Sequence, residues 1–281
     1  MNKVYSFLIL LYFSNLLAQE LPDPSSYSLL LGSIRKENVD NALNSLPKRK
    51  NIDLLKMLMA MLKAKELNSL SKAESAFFAY KWIIKNITVY YNLGKNDYVN
   101  KVYETGEGSP WGISTLFTHI CNFLSIESKS IEGYVKMSSR NFEDGLVMSK
   151  NESSWNYIVI DGHNYLVDAS LGAGMYNEEE FHWLNSDLFF ATKPEIFINY
   201  HFPNDIKWQL LYQTITMEKF ESIPFVYRFF YLFGFKNFYP YNFGIKSNQE
   251  IKIELNYDQL IECTSLITVL FNEASNDKEI N

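Results

Sequence analysis

Two cysteines, Cys121 and Cys263, are all the thiols that this 281-residue chain has. That is too few for a disulfide scaffold or a four-cysteine zinc site. Its four histidines contain no i, i+4 pair, so the helical metal-ligand signature is missing. Basic residues are also scarce: 26 Lys and Arg face 32 Asp and Glu, a formal charge of -6. No basic footprint exists, which argues against nucleic acid as a partner. With 12 Gly and 8 Pro, collagenous and low-complexity readings are excluded as well. What the chain has in excess is aromatic: 21 Phe, 19 Tyr and 5 Trp, 16% of the residues.

The longest apolar stretch lies at the start. Residues 1–18 read MNKVYSFLILLYFSNLLA, one lysine and then an apolar run from Val4 to Leu17 that ends in a small residue. This is the pattern of a cleavable signal peptide, and the run is too short to span a bilayer. The expectation is export to a periplasmic, cell-surface or extracellular location, with no membrane span after cleavage. Residues 19–69 then read as a helical N-terminal extension. Within it, Asn51 is the expected cap of a helix whose apolar positions are Leu55, Leu58, Met59 and Leu62.

Ser71-Lys-Ala-Glu74 is a capping box, and Phe77, Tyr80, Ile84 and Ile87 come after it at helical spacing. A polar stretch from Asn92 to Gly108 reads as a surface loop. Ser109-Pro110-Trp111-Gly112 opens another helix, with Ser109 a good N-cap and Pro110 suited to the first helical position. From Ile131 the period changes to two. Trp155 to Ile160 and His163 to Asp168 flank an Asp161-Gly162 turn, the strongest short hairpin signal. The residues from Ser138 to Ser154 read as a polar loop. Asn177 to Glu180, with His182 just beyond, reads as an acidic loop or helix start rather than a metal site.

These motifs resemble the transglutaminase-like superfamily of papain-like folds, and within it the kyphoscoliosis-peptidase-like branch. The resemblance rests on Gly108-Ser-Pro-Trp-Gly112, Gly133-Tyr134, Ser153-Ser-Trp155-Asn156 and Tyr165-Leu-Val-Asp168-Ala-Ser-Leu-Gly172. Residues 193–211 resemble the segment just after the core in that branch, so the resemblance covers roughly 70–211. It implies an α+β fold with a papain/transglutaminase-like core, helices packed on an antiparallel sheet, and a domain over 70–211. The same resemblance implies a catalytic triad whose nucleophile, histidine and acid fall on Pro110, Ser153 and Asp168. Only the acid is of the required type.

The chemistry of such a site needs a thiolate at a helix N-terminus, a histidine to move the proton and an acid to orient that histidine. Proline and serine at the first two positions cannot do this. The expected protein is therefore non-catalytic, and its cleft, formed by Ser109, Trp111, Gly112, Trp155 and Asn156, binds a peptide, a protein or a cell-envelope polymer without a cofactor. The alternative is an active cysteine peptidase or acyl-transferase in which Cys121, three turns along the same helix, is the nucleophile. Buried packing is the expected role of Cys121, His182 and His201, and solvent exposure that of His163.

The last region, 212–281, reads as aromatic-rich and β-containing, possibly a truncated β module. Phe225 to Phe243 holds eleven Phe or Tyr in nineteen positions. Strands are expected at Ile251 to Leu255 and at Cys263 to Phe271. A further alternative is that this aromatic segment makes the contacts and the central domain only carries it.

Overall fold

The structure is a computed structural model that describes residues 4–7, 25–90, 98–138, 148–177, 180–223, 226, 230–231, 235–239, 245–246, 254–257 and 270–272. Strand β1 (Val4–Phe7) lies inside the segment expected to be a leader. Next come three helices, α1 (Ser25–Gly32), α2 (Lys36–Asn44) and α3 (Leu54–Leu67). The cap of α3 is Asp53, whose carboxylate accepts the Lys56 N–H, while Asn51 closes a 3-10 turn just before it. This corrects the expected cap and rotates the buried stripe. Met57, Leu58, Met61 and Ala64 face the core, whereas Leu55 and Met59 are exposed. Periodicity alone could not choose, because this helix carries apolar residues on nearly every face.

Helix α4 (Lys72–Asn86) begins with the anticipated capping box: Ser71 accepts from Glu74 N–H and the Glu74 carboxylate accepts from Ser71 N–H. Glu74 also takes a bidentate contact from the Arg35 guanidinium, which holds its carboxyl down at about 2. One acid thus joins the α2 cap to the α4 cap. Its contribution is complete above the ordinary glutamate range and is lost as pH falls toward 2. More than a stripe of α4 is buried: Phe77, Phe78, Tyr80, Trp82, Ile83 and Ile84 are all interior.

The expected loop before Ser109 contains regular structure. Strand β2 (Thr88–Val89) pairs in parallel with β3 (Glu107–Gly108), and α5 (Val99–Thr105) lies between them, ending in left-handed Gly106. Val102 and Tyr103 of α5 are buried, and Tyr103 stacks on Trp82. The polar composition concealed two anchors. Helix α6 (Pro110–Phe123) then starts as anticipated, with Ser109 accepting the Gly112 N–H at 3.2 Å.

The main sheet comes next. Strands β4 (Glu127–Ser138), β5 (Met148–Ile160) and β6 (His163–Val167) are joined by β9 (Phe190–Thr192) and β10 (His201–Pro203) in the order β10-β4-β5-β6-β9. All its pairings are antiparallel. The β5–β6 turn places Asp161 and Gly162 at φ 51° and 83°, the two left-handed positions that the Asp-Gly pair suits. Strand β5 starts at Met148 and pairs back to Ser138, so Ser138 and residues 148–154 of the expected 138–154 loop are strand, and 139–147 lie outside the described residues.

After β6 come α7 (Ala169–Ala173), the hairpin β7 (Gly174–Asn177) with β8 (Glu180–Trp183), α8 (Pro194–Phe197) and α9 (Met217–Ser222). Of the acidic run read as a loop or helix start, Asn177 ends β7 and stands opposite Glu180, the start of β8, while 178–179 lie outside the described residues. In the last region β11 (Phe235–Tyr239) pairs with β13 (Glu254–Tyr257). Strand β1 lies between β12 (Ile245–Lys246) and β14 (Leu270–Asn272). Residues 251–253, Cys263 to Val269 and the tail after Asn272 lie outside the described residues.

One face of the sheet packs under α4 and α6. That core continues into α1–α3 through Leu30, Val39, Met57 and Met61, so the N-terminal extension belongs to it. The other face holds Ile131, Val135, Trp155, Tyr157, Phe189 and Phe197.

Candidate functional site

Strand alternation decides where each candidate points. In the β4–β5 register Gly133 stands opposite Ser153 and Ile131 opposite Trp155; in the β10–β4 register His201 stands opposite Val135. Ser153, Trp155 and His201 therefore share one face. Asp168 lies just past β6, buried at the N-terminus of α7.

Asp168 is the hub. One carboxylate oxygen accepts the Leu171 N–H at 3.0 Å and caps α7. The other is 2.8 Å from Nε2 of His201, and the two side chains are 1% and 0% exposed. Nδ1 of the same ring is 3.3 Å from the Phe197 carbonyl oxygen. Nε2 is placed to donate an N–H to the carboxylate, and Nδ1 faces a second acceptor, so the ring bridges Asp168 and the Phe197 carbonyl. Rings enclose it: Phe197 stacks at 3.7 Å, and Trp155 and Phe189 meet it edge-on at 4.8 and 6.1 Å.

The acid anticipated from the motif is thus present and engaged, but its histidine comes from β10 and not from position 153. His201 had been expected only to pack. The signal that could have found it is the acid itself, since a buried carboxylate needs a buried donor and an apolar strand bearing one histidine is a natural source. His163, His182 and His119 are exposed, so for His182 the packing expectation is corrected: it faces out from β8.

The other positions are mostly interior. Pro110 is buried at the first position of α6, and Ser153 is 2% exposed. Ser109, Gly112, Trp155 and Asn156 are buried too, leaving Trp111, half-buried, as the anticipated cleft residue nearest the surface. Trp155 packs against a tight strand crossing: a Cβ on Gly133 would stand 2.6 Å from its ring. It is a core residue, which corrects its expected place along a groove.

On the opposite face a seam of hydroxyls joins α6 to the sheet. The Ser114 hydroxyl donates to the Trp155 carbonyl at 3.0 Å and lies 2.7 Å from the Ser130 hydroxyl and 3.2 Å from that of Ser154. Asn156 donates through Nδ2 to the Ser114 carbonyl and to the Thr118 hydroxyl.

Cys121 is fully buried, and burial pushes its thiol well above the ordinary range. A desolvated thiol is a poor nucleophile, and nearby His119 faces solvent. Alkylation of Cys121 in the native chain at pH 7 is therefore expected to run at least about a hundredfold slower than in denaturant. Rapid native labelling, site-mapped by mass spectrometry, would contradict this. Among the described residues no group of three His, Cys, Asp or Glu could hold a metal ion.

A central helix with a capped N-terminus, laid on an antiparallel sheet whose third strand delivers an acid, defines a papain-like α+β class. A family model described as the transglutaminase-like superfamily matches residues 61–169. Over 132 residues the chain is 28% identical to human Kyphoscoliosis peptidase, covering 46% of this chain and 20% of that protein. It is 29% identical over 133 residues to Hillarin of Drosophila melanogaster, covering 42% and 16%. The chain thus spans about a fifth of the length of these relatives. The solved structure of a TGase aligns at 11% identity with a TM-score of 0.26, covering 63% of this chain and 40% of that one. Residues 61–169 are a transglutaminase-like domain, and its relatives set it with the kyphoscoliosis-peptidase-like branch.

Proposed function

We propose that this is an exported, non-catalytic transglutaminase-like protein that works by binding a peptide, a protein or a cell-envelope polymer. The observation that carries the reading is the closed pair of Asp168 and His201, in which the surviving acid is occupied and the ring is 0% exposed among Phe197, Trp155 and Phe189. Proline at the first position of α6 supplies no nucleophile, and the buried Cys121 supports no thiolate chemistry in its place. Export rests on the pattern of residues 1–18 alone; cleavage there would take the central strand β1 from its sheet. The surface offered to a ligand includes half-buried Trp111 on the first turn of α6 and Trp183, 43% exposed on β8 and set edge-on to Phe181.

The test has two arms. The full chain is incubated with casein and a fluorescent primary amine, and neither cleavage nor amine incorporation above buffer is expected, for wild type and Cys121→Ser alike. Turnover that disappears in Cys121→Ser would overturn the reading and restore the enzyme. In the second arm, co-sedimentation with purified cell-wall polymer and titration with a casein peptide digest are expected to show binding that weakens about tenfold in Trp183→Ala, or about 1.4 kcal/mol. Absence of binding to both probes counts against it.

A further inference from the structure

Strand β4 carries a buried amine on the face opposite His201. Lys136 is 5% exposed, and its ammonium donates to the carbonyls of Phe220 and of Ile223, the latter at 2.6 Å. These carbonyls belong to the C-terminal turn and cap of α9, where the helix dipole is negative and the last C=O groups have no partner within the helix. The Phe220 ring lies 4.4 Å from the nitrogen. Phe220 itself is fully buried against Phe202 and Ile198. Helix α9 has only six residues, too short to persist by itself. Its seat on the sheet is this lysine with an apolar patch of three buried residues.

We propose that α9 is a detachable clasp, held over this face of the sheet by Lys136, and that the charge on this one amine sets how firmly the clasp closes. The position in the sequence is what makes the device useful. Lys136 reaches 84 and 87 residues along the chain, so it ties the start of the C-terminal region to the middle of the domain.

The direction comes from the physics of burial. Desolvation brings the Lys136 ammonium down to about 8, against which the nearby charge of Glu221 acts. Other charged or titratable groups on the elements packed here are Glu218 and Lys219 on α9, Glu132 and Tyr134 earlier on the same face of β4, and Glu152, which stands opposite Tyr134 in the β4–β5 register. Strand β10 offers only His201, on the other face. A cation that becomes less basic when the clasp closes makes closure proton-releasing. Closure is therefore weakest below about pH 8 and tightens as pH rises from there toward the ordinary lysine value. The neutral amine still has two N–H groups for its two carbonyls, so the seat survives deprotonation.

Trypsin reads the clasp directly, because Lys219 sits within α9. The full chain is digested at pH 7.0 and 9.5 beside an unstructured reference peptide, and cleavage after Lys219 is followed by mass spectrometry. Relative to the reference, the rate is expected to fall about tenfold or more at the higher pH in wild type. In Lys136→Met, which has no donor for the two carbonyls, the rate should be independent of pH and faster than that of wild type at pH 9.5. A flat wild-type profile, a rate that rises with pH, or a Lys136→Met profile that tracks wild type would overturn the proposal. Should the variant fail to fold, 13C NMR of lysine-labelled wild type decides: one lysine titrating near pH 8 is expected, and all lysines near the ordinary value would sink the idea.

Discussion

Replacing His201 with alanine is expected to destabilise the protein by roughly 3–5 kcal/mol, enough to unfold many domains of this size. The cause is less the lost attraction than what is left behind. Asp168 would remain 1% exposed with one oxygen still capping α7 and the other facing apolar rings, an uncompensated charge in the interior. Asp168→Asn should be milder, because the amide keeps an oxygen for the Leu171 N–H. The double variant His201→Phe with Asp168→Asn removes both ionisable groups and keeps a ring in place, and is expected to recover more than half of the loss. Urea unfolding of wild type, His201→Ala, His201→Phe, Asp168→Asn and the double variant measures this. A double variant whose loss equals the sum of those of His201→Phe and Asp168→Asn would mean that the pair does not act as a unit.

The second large effect is at Trp155. Truncation to alanine is expected to cost roughly 3–5 kcal/mol, from the cavity and from lost contact with His201 and Phe197. Such a variant would lose binding by losing its fold, so it is useless as a probe of the cleft. Trp183→Ala, on the exposed hairpin, should change thermal stability by less than about 0.5 kcal/mol. A Trp155→Ala chain that melts with wild type would overturn the burial argument.

How much of the fold was legible in the residues depended on distance along the chain. The Ser71–Glu74 box, the Ser109-Pro110 helix start and the Asp161-Gly162 turn each act within four residues, and all three are in place. The rotation of α3 was not readable, since its choice between Met57 and Met59 depends on which face α2, α5 and α6 cover. Helix α5 was hidden because its anchor, Tyr103, stacks on Trp82, 21 residues before it, and that partner cannot be seen in a polar stretch. The site divides in the same way. The position of Asp168 was set by a motif, whereas the partner that occupies it arrives from 33 residues further on, on a strand whose pairing with β4 no local pattern announces. Likewise Lys136 has the pattern of an ordinary outward residue of an alternating strand, and only the fold brings α9 over it.

The hydroxyl seam beneath α6 has a consequence for how the helix is placed. Apolar side chains such as Ile113, Leu116 and Ile120 would tolerate a shift of α6 along its axis by one turn, about 5.4 Å, because one greasy surface resembles the next. Ser114, Ser130, Ser154 and Asn156 would not, since their bonds are directional and a displaced helix would leave several of them buried and unanswered. The seam works like the teeth of a zip: it adds little to the closing force and fixes which tooth meets which.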